Sequence, residues 1–223
     1  MVRITGGLLK GRSLKVYSGG EVRPTSDKVR QALFNILRHR FNADFEGVRA
    51  LDLFAGSGAL GLEALSRGAQ EVLFVEADPH TAKVLSANIK AASEALRAQR
   101  GSAGQALRGT FEVRQLTQPV ERLLKRAPER PYDLILIDPP YAMLREGALL
   151  TLLREGWLSE EGYVMIEHAK RNLFEVPEGW CLEMRRAYGD TYLSLLSLEP
   201  SLDEPSLDDP ACDEALEPKP SAP

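Results

Sequence analysis

Asp52-Leu53-Phe54-Ala55-Gly56-Ser57-Gly58-Ala59-Leu60-Gly61 decides how this chain is read. Residues 50–54 have the length and apolarity of a strand, residues 55–58 form a glycine-rich turn, and residues 59–67 have a helical pattern that Gly68 can end. Glycines at such a turn let the backbone approach a ligand, and the helix behind them offers unpaired N–H donors. Gly56-x-Gly58-x-x-Gly61 fits a dinucleotide fingerprint, and Glu76 ends the next strand, 71–76, where a ribose-binding carboxylate belongs. The turn alone does not choose between a nicotinamide dinucleotide and another nucleoside ligand, and a ligand-free strand–helix turn can carry the same glycines.

Working outward, strands alternate with helices from residue 49 to residue 167. Helices are expected over 81–97, 120–125 and 147–155, and strands over 111–114, 132–137 and 162–167. Asp133-Leu134-Ile135-Leu136-Ile137 is nearly continuous in apolar residues, as a strand covered on both faces requires. The pattern predicts an α/β, Rossmann-like fold with a mostly parallel sheet. Two late runs, 181–187 and 191–198, flank Tyr188-Gly189-Asp190 and predict a closing antiparallel hairpin. Residues 98–110, rich in Gly, Ala, Ser and Gln, read as a loop longer than the fold needs.

Before this body lies a small β/α arm. Residues 2–5 and 12–16 read as short extended pieces. A helix follows Pro24, with Thr25 or Ser26 as its N-cap, Asp27 in its first turn, and Val29, Leu33, Ile36 and Leu37 along one stripe. Residues 1–40 carry a net charge of +7 and residues 199–223 one of −7, so the overall −4 conceals two opposed termini. The expected organisation is a basic N-terminal RNA-binding arm at 1–48, a catalytic domain at 49–198 and a disordered, acidic, Pro-rich tail at 199–223. Such a tail, tethered near a basic surface, is expected to compete weakly with nonspecific RNA.

Composition excludes several classes. Two cysteines cannot build a disulfide framework, no apolar run nears the ~18–20 residues of a membrane span, and the first thirty residues lack a signal-peptide core. A cytoplasmic protein without membrane association is expected. His39, His80 and His168 have no mutual metal-ligand spacing, so no metal is expected.

Asp138-Pro139-Pro140-Tyr141 arbitrates between the ligand readings. It follows the strand 132–137 and so sits at a carboxyl end of the sheet, where α/β proteins bind ligands. Two prolines remove two backbone donors, Asp138 adds a carboxylate, and Tyr141 adds a flat aromatic face. Acceptors beside a stacking ring suit a planar amino group on a base. A hydride-transfer site has no use for them.

In this order, the glycine turn, the acid of the second strand and Asp-Pro-Pro-Tyr resemble the class I S-adenosylmethionine-dependent amino-methyltransferases. Arg3-Ile4-Thr5-Gly6-Gly7, Lys10-Gly11-Arg12, the run from Arg23 to Asn35, and Tyr188-Gly189-Asp190-Thr191 narrow the resemblance to the RsmD family over residues 1–198. That resemblance implies methyl transfer to the exocyclic N2 of a guanine in bacterial small-subunit (16S) rRNA, with S-adenosylmethionine consumed and S-adenosylhomocysteine released. It places Asp138, Pro139, Pro140 and Tyr141 in the catalytic motif, and Asp52, Ala55, Gly56, Ser57, Gly58, Glu76, Ala77 and Asp138 on cofactor positions. Arg3, Lys10, Arg12, Arg23, Thr25, Lys28 and Arg30 become candidates for RNA contact, with Lys170 and Arg171 extending that surface. The partner implied is 16S rRNA or a small-subunit assembly, with the enzyme a monomer. Many related enzymes carry Asp or Asn near the end of the strand at 111–114 to hold the adenine amino group. Here Gln115 or backbone would serve. A DNA adenine or protein glutamine methyltransferase would share Asp-Pro-Pro-Tyr without the arm. A nicotinamide-dependent oxidoreductase accounts only for the glycines and Glu76, and a non-enzymatic RNA-binding module only for the arm.

Overall fold

Apolar residues crowd both faces of the central strands, and burying both faces requires helices on each side of one sheet. In the computed structural model, which describes residues 2–17, 19, 26–41, 45–102, 110–139 and 148–200, that is the arrangement found. The expectations that rest on Arg23, Thr25, Pro140, Tyr141 and residues 201–223 lie outside the described residues.

A two-stranded antiparallel ribbon, β1 (Val2–Arg3) and β2 (Ser13–Leu14), precedes helix α1 (Asp27–Arg40). The main unit runs β3 (Arg49–Leu53), α2 (Ala59–Ser66), β4 (Glu71–Glu76), α3 (Pro79–Ser102), β5 (Glu112–Thr117), α4 (Val120–Leu124), β6 (Tyr132–Ile137), α5 (Ala148–Arg154) and β7 (Leu158–Ala169). A 3-10 turn (Lys170–Asn172) leads to β8 (Trp180–Tyr188) and β9 (Thr191–Leu198). The strands form one seven-stranded sheet in the order β5-β4-β3-β6-β7-β9-β8. The first five are mutually parallel, and β9 is antiparallel to both β7 and β8. The chain leaves β3 for β4 on one side while β6 lies on the other, so the switch point falls between β3 and β6.

Strand parity divides the core. Ala50, Leu134, Leu136 and Met165 face the layer shared with α1, α2 and α3. Leu51, Leu53, Ile135, Ile137 and Ile166 face the layer with α4 and α5. The arm contributes to the first layer through Val2, Ile4, Leu14, Leu33, Phe34 and Leu37, all buried. Ser26 is the N-cap of α1, its hydroxyl accepting from the Val29 amide at 3.2 Å.

Local composition explains where elements outrun the sequence reading. α3 continues to Ser102 rather than ending near 97, because Ala98, Gln99 and Arg100 all favour helix. β5 starts at Glu112 and runs to Thr117. It is an edge strand whose polar side chains hide it from an apolar-run criterion. β7 begins at Leu158, which pairs with Tyr132 before a register shift.

Arg30 requires a correction. It was expected off the apolar stripe and facing phosphates, yet none of its side chain is exposed. It donates from Nη2 to the Arg3 carbonyl and to Asp27 Oδ1, both at 2.6 Å, and its Nε lies 3.8 Å from Glu63. Glu63 on α2, also fully buried, accepts from the Thr5 amide at 2.7 Å, the Thr5 hydroxyl at 2.9 Å and Arg67 Nε at 2.9 Å. These groups clamp the arm to α2.

Candidate active site

The turn after β3 and the end of β6 meet at the switch point. The Ala55 amide donates to Val75 O at 3.0 Å, which ties the start of the turn to β4. Gly61 lies on α2 directly over Phe74. A Cβ there would sit 2.3 Å from that ring and 2.9 Å from Asp52 Oδ2, so only glycine permits this close packing. Gly56 has φ of 55°, and a Cβ there would meet nothing nearer than 3.9 Å. It faces open space rather than packed protein, as a surface that receives a ligand should.

Three acidic residues, Glu76, Asp52 and Asp138, lie near one another around the turn, Asp52 close enough to feel the charges of the other two. Glu76, at the end of β4, accepts from the Gly56 amide and the Asp78 amide, each at 2.9 Å. The turn and the loop after β4 therefore fix its orientation. Asp52 is buried and accepts from the Gly61 amide at 2.8 Å. Burial pushes its carboxyl up to about 8, and the nearby charges of Asp138 and Glu76 add to the shift. Asp138 follows β6 and is half-buried, with Pro139 buried behind it. Such a group of acids suits a ligand that brings positive charge and hydroxyl donors.

The other predicted residues are placed as follows. Ser57 offers its carbonyl to Asn88 Nδ2 at 2.9 Å, Gly58 caps α2, and Ala77 is exposed beside Glu76. Gln115 donates from Nε2 to Ala82 O at 2.9 Å, an anchor that turns its side chain toward α3. Arg3 is exposed but paired with Asp27 at 2.7 Å, Lys10 is exposed and Arg12 half-buried. Lys28, Lys170 and Arg171 line a cavity of about 720 Å³ that also includes Asp138 and Pro139. The arm helix and the carboxyl ends of β6 and β7 thus share one cavity.

Asn88 was missed in the sequence. Its amide donates to Lys15 O at 2.8 Å and Ser57 O at 2.9 Å, and its Oδ1 accepts from the Lys15 amide at 3.0 Å. It joins the arm to the glycine turn. Its signal was a polar residue set on the apolar face of α3 between Leu85 and Ala92. His168, near the end of β7, is 4% exposed and bonds Ser194 Oγ at 2.9 Å, and burial pushes its imidazole down to about 4.

Known proteins share this architecture. The family model described as Conserved hypothetical protein 95 matches residues 2–197. "Ribosomal RNA small subunit methyltransferase D" of Haemophilus influenzae is 35% identical over 84% of this chain and 89% of its own length. The protein of that name from Escherichia coli strain K12 is 32% identical over 89% of this chain and 90% of its own. Among solved structures, a hypothetical protein of Thermus thermophilus superposes with a TM-score of 0.69 at 33% identity, covering 89% of this chain and all of that one.

Proposed function

The chain belongs to the Conserved hypothetical protein 95 family, the RsmD family of methyltransferases, and from that membership we propose that it methylates the exocyclic N2 of a guanine in 16S rRNA. The observation that carries this reading is the placement of Asp138 and Pro139. They stand at the switch point beside the glycine turn and line the same cavity as cations from α1 and the 3-10 turn. The proposed substrate is the rRNA or a small-subunit assembly in the cytoplasm, engaged through an arm within residues 1–48.

The residues present fit S-adenosylmethionine. Glu76 would accept from the ribose hydroxyls, and the open backbone at Gly56 would lie against the nucleoside and its amino-acid tail. The acids Asp52 and Asp138 would offset its positive charge. When bound, this cofactor supplies an electrophilic methyl group on a sulfonium.

The chain's own residues supply positioning and electrostatics. The N2 lone pair of guanine is delocalised into the ring and so is a poor nucleophile. Asp138 and the Pro139 carbonyl accept the two N2 hydrogens and favour a pyramidal nitrogen whose lone pair points at the methyl. Asp138 then takes the proton shed as the N–C bond forms. The base must leave its stack to reach this position, and Tyr141 is proposed to hold its face.

Titration calorimetry with S-adenosylhomocysteine and with NADH tests the cofactor. Binding of the first and not the second is expected, and the reverse would return the glycine turn to a nicotinamide reading. Asp138→Ala should retain S-adenosylhomocysteine affinity while losing turnover.

A further inference from the structure

A second carboxylate stands beside Asp138. β6 and β7 pair in parallel through Ile137 and Ile166, so the next residues, Asp138 and Glu167, are lateral neighbours at about the 5 Å strand spacing. Parity fixes their direction. Leu134 and Leu136 on β6 and Met165 on β7 face the layer that holds α1, while Ile137 and Ile166 face the opposite one. Asp138 and Glu167 therefore share the α1 side of the sheet, and both line the 720 Å³ cavity. Glu167 is only 9% exposed, and the pairing of β7 with β9 at Leu193 holds its backbone. Lys28, Lys170 and Arg171 line the same cavity, where they can meet the phosphates of a nucleotide whose base has entered.

Two carboxylates side by side select an edge with two adjacent donors. Guanine presents N1–H beside its N2 amino group. Adenine and cytosine each place a ring-nitrogen acceptor beside the amino group, and a buried carboxylate facing that acceptor would be repelled and lose a hydrogen bond. We propose that Glu167 determines base specificity, its carboxylate accepting the guanine N1–H while Asp138 and the Pro139 carbonyl accept the N2 hydrogens. This assignment rests on the guanine-N2 reading above. It supplies what Asp-Pro-Pro-Tyr lacks, a means of refusing the adenine amino group.

The test uses the full chain and a synthetic RNA carrying the target nucleotide, located by mass mapping of the wild-type product, as guanine or as 2-aminopurine. The analogue keeps the 2-amino group but has an acceptor at N1. Wild-type protein should favour guanine by about a hundredfold in kcat/KM, the scale of one unmet charged hydrogen bond. In Glu167→Gln, whose amide can donate to N1, that preference should shrink at least tenfold, with S-adenosylhomocysteine affinity unchanged. Equal rates on both RNAs for wild-type protein would overturn the proposal without recourse to any variant. An unchanged preference in an active Glu167→Gln would also overturn it. If either result comes with N2-methylguanosine as the wild-type product, Glu167 alone is refuted. A different methylated nucleoside would overturn the guanine reading as well.

Discussion

Removing Glu63 should loosen the arm from the body. In Glu63→Ala the guanidinium of Arg30, which has no exposed side-chain surface, loses a neighbouring carboxylate. The Thr5 amide and hydroxyl lose their acceptor at the same time. Breaking a buried pair by deleting one partner costs ~3–5 kcal/mol. Asp27 remains 2.6 Å from Arg30 and Arg67 is near enough to the surface to be hydrated, so the lower end, about 3 kcal/mol, is expected. For a chain of this size that is a fall in Tm of roughly 6–12 °C. Urea and thermal unfolding measure it, and the double variant with Arg30→Met should recover more than ~1 kcal/mol, because removing both charges leaves neither stranded. A cost below ~1 kcal/mol with no coupling to Arg30 would refute the clamp.

Three further outcomes are expected. Glu76→Ala should weaken S-adenosylmethionine by roughly ten- to a hundredfold, the worth of one or two hydrogen bonds to a carboxylate, as read by calorimetry; an unchanged Kd would place the ribose elsewhere. Asp52 has its folded pKa raised to about 8, so its neutral form contributes stability that is full below the unfolded value near 3.8 and is lost as pH rises through about 8. The Tm of wild-type protein should therefore fall relative to Asp52→Asn between about pH 4 and 8 and level off above that, and binding of the cationic cofactor near pH 7 should release a proton, detected by calorimetry in buffers of different ionisation enthalpy. Charge reversal at Lys10 and Arg12 should flatten the salt dependence of RNA affinity by about 0.7–0.9 in log–log slope for each phosphate no longer neutralised, and an unaltered slope would remove both from the interface.

How much was legible in the sequence depended on how local the determinant was. β4, β6 and β9 have the bounds that their apolar runs indicate, because burial on both faces leaves a continuous signal. The glycine turn and Asp138 were legible because a switch point needs little more than a strand end and a turn. Arg30 was not. Its partners Arg3 and Glu63 come from other parts of the chain, and no helical periodicity reports a partner on another element. Glu167 was read as the last residue of a strand, and its neighbour Asp138 became visible only once β6 and β7 were paired in register. Asn88 was masked for a related reason, its acceptors being backbone carbonyls of the arm and the turn.

The most direct measurement of the central claim is the identity of the methylated nucleoside. Small-subunit rRNA from cells lacking this protein is incubated with the full chain and S-adenosylmethionine labelled in the methyl group, then digested to nucleosides and resolved by mass spectrometry. The account predicts label in N2-methylguanosine with wild-type protein and its loss with Asp138→Ala. Label in N6-methyladenosine, or undiminished N2-methylguanosine with Asp138→Ala, would contradict it.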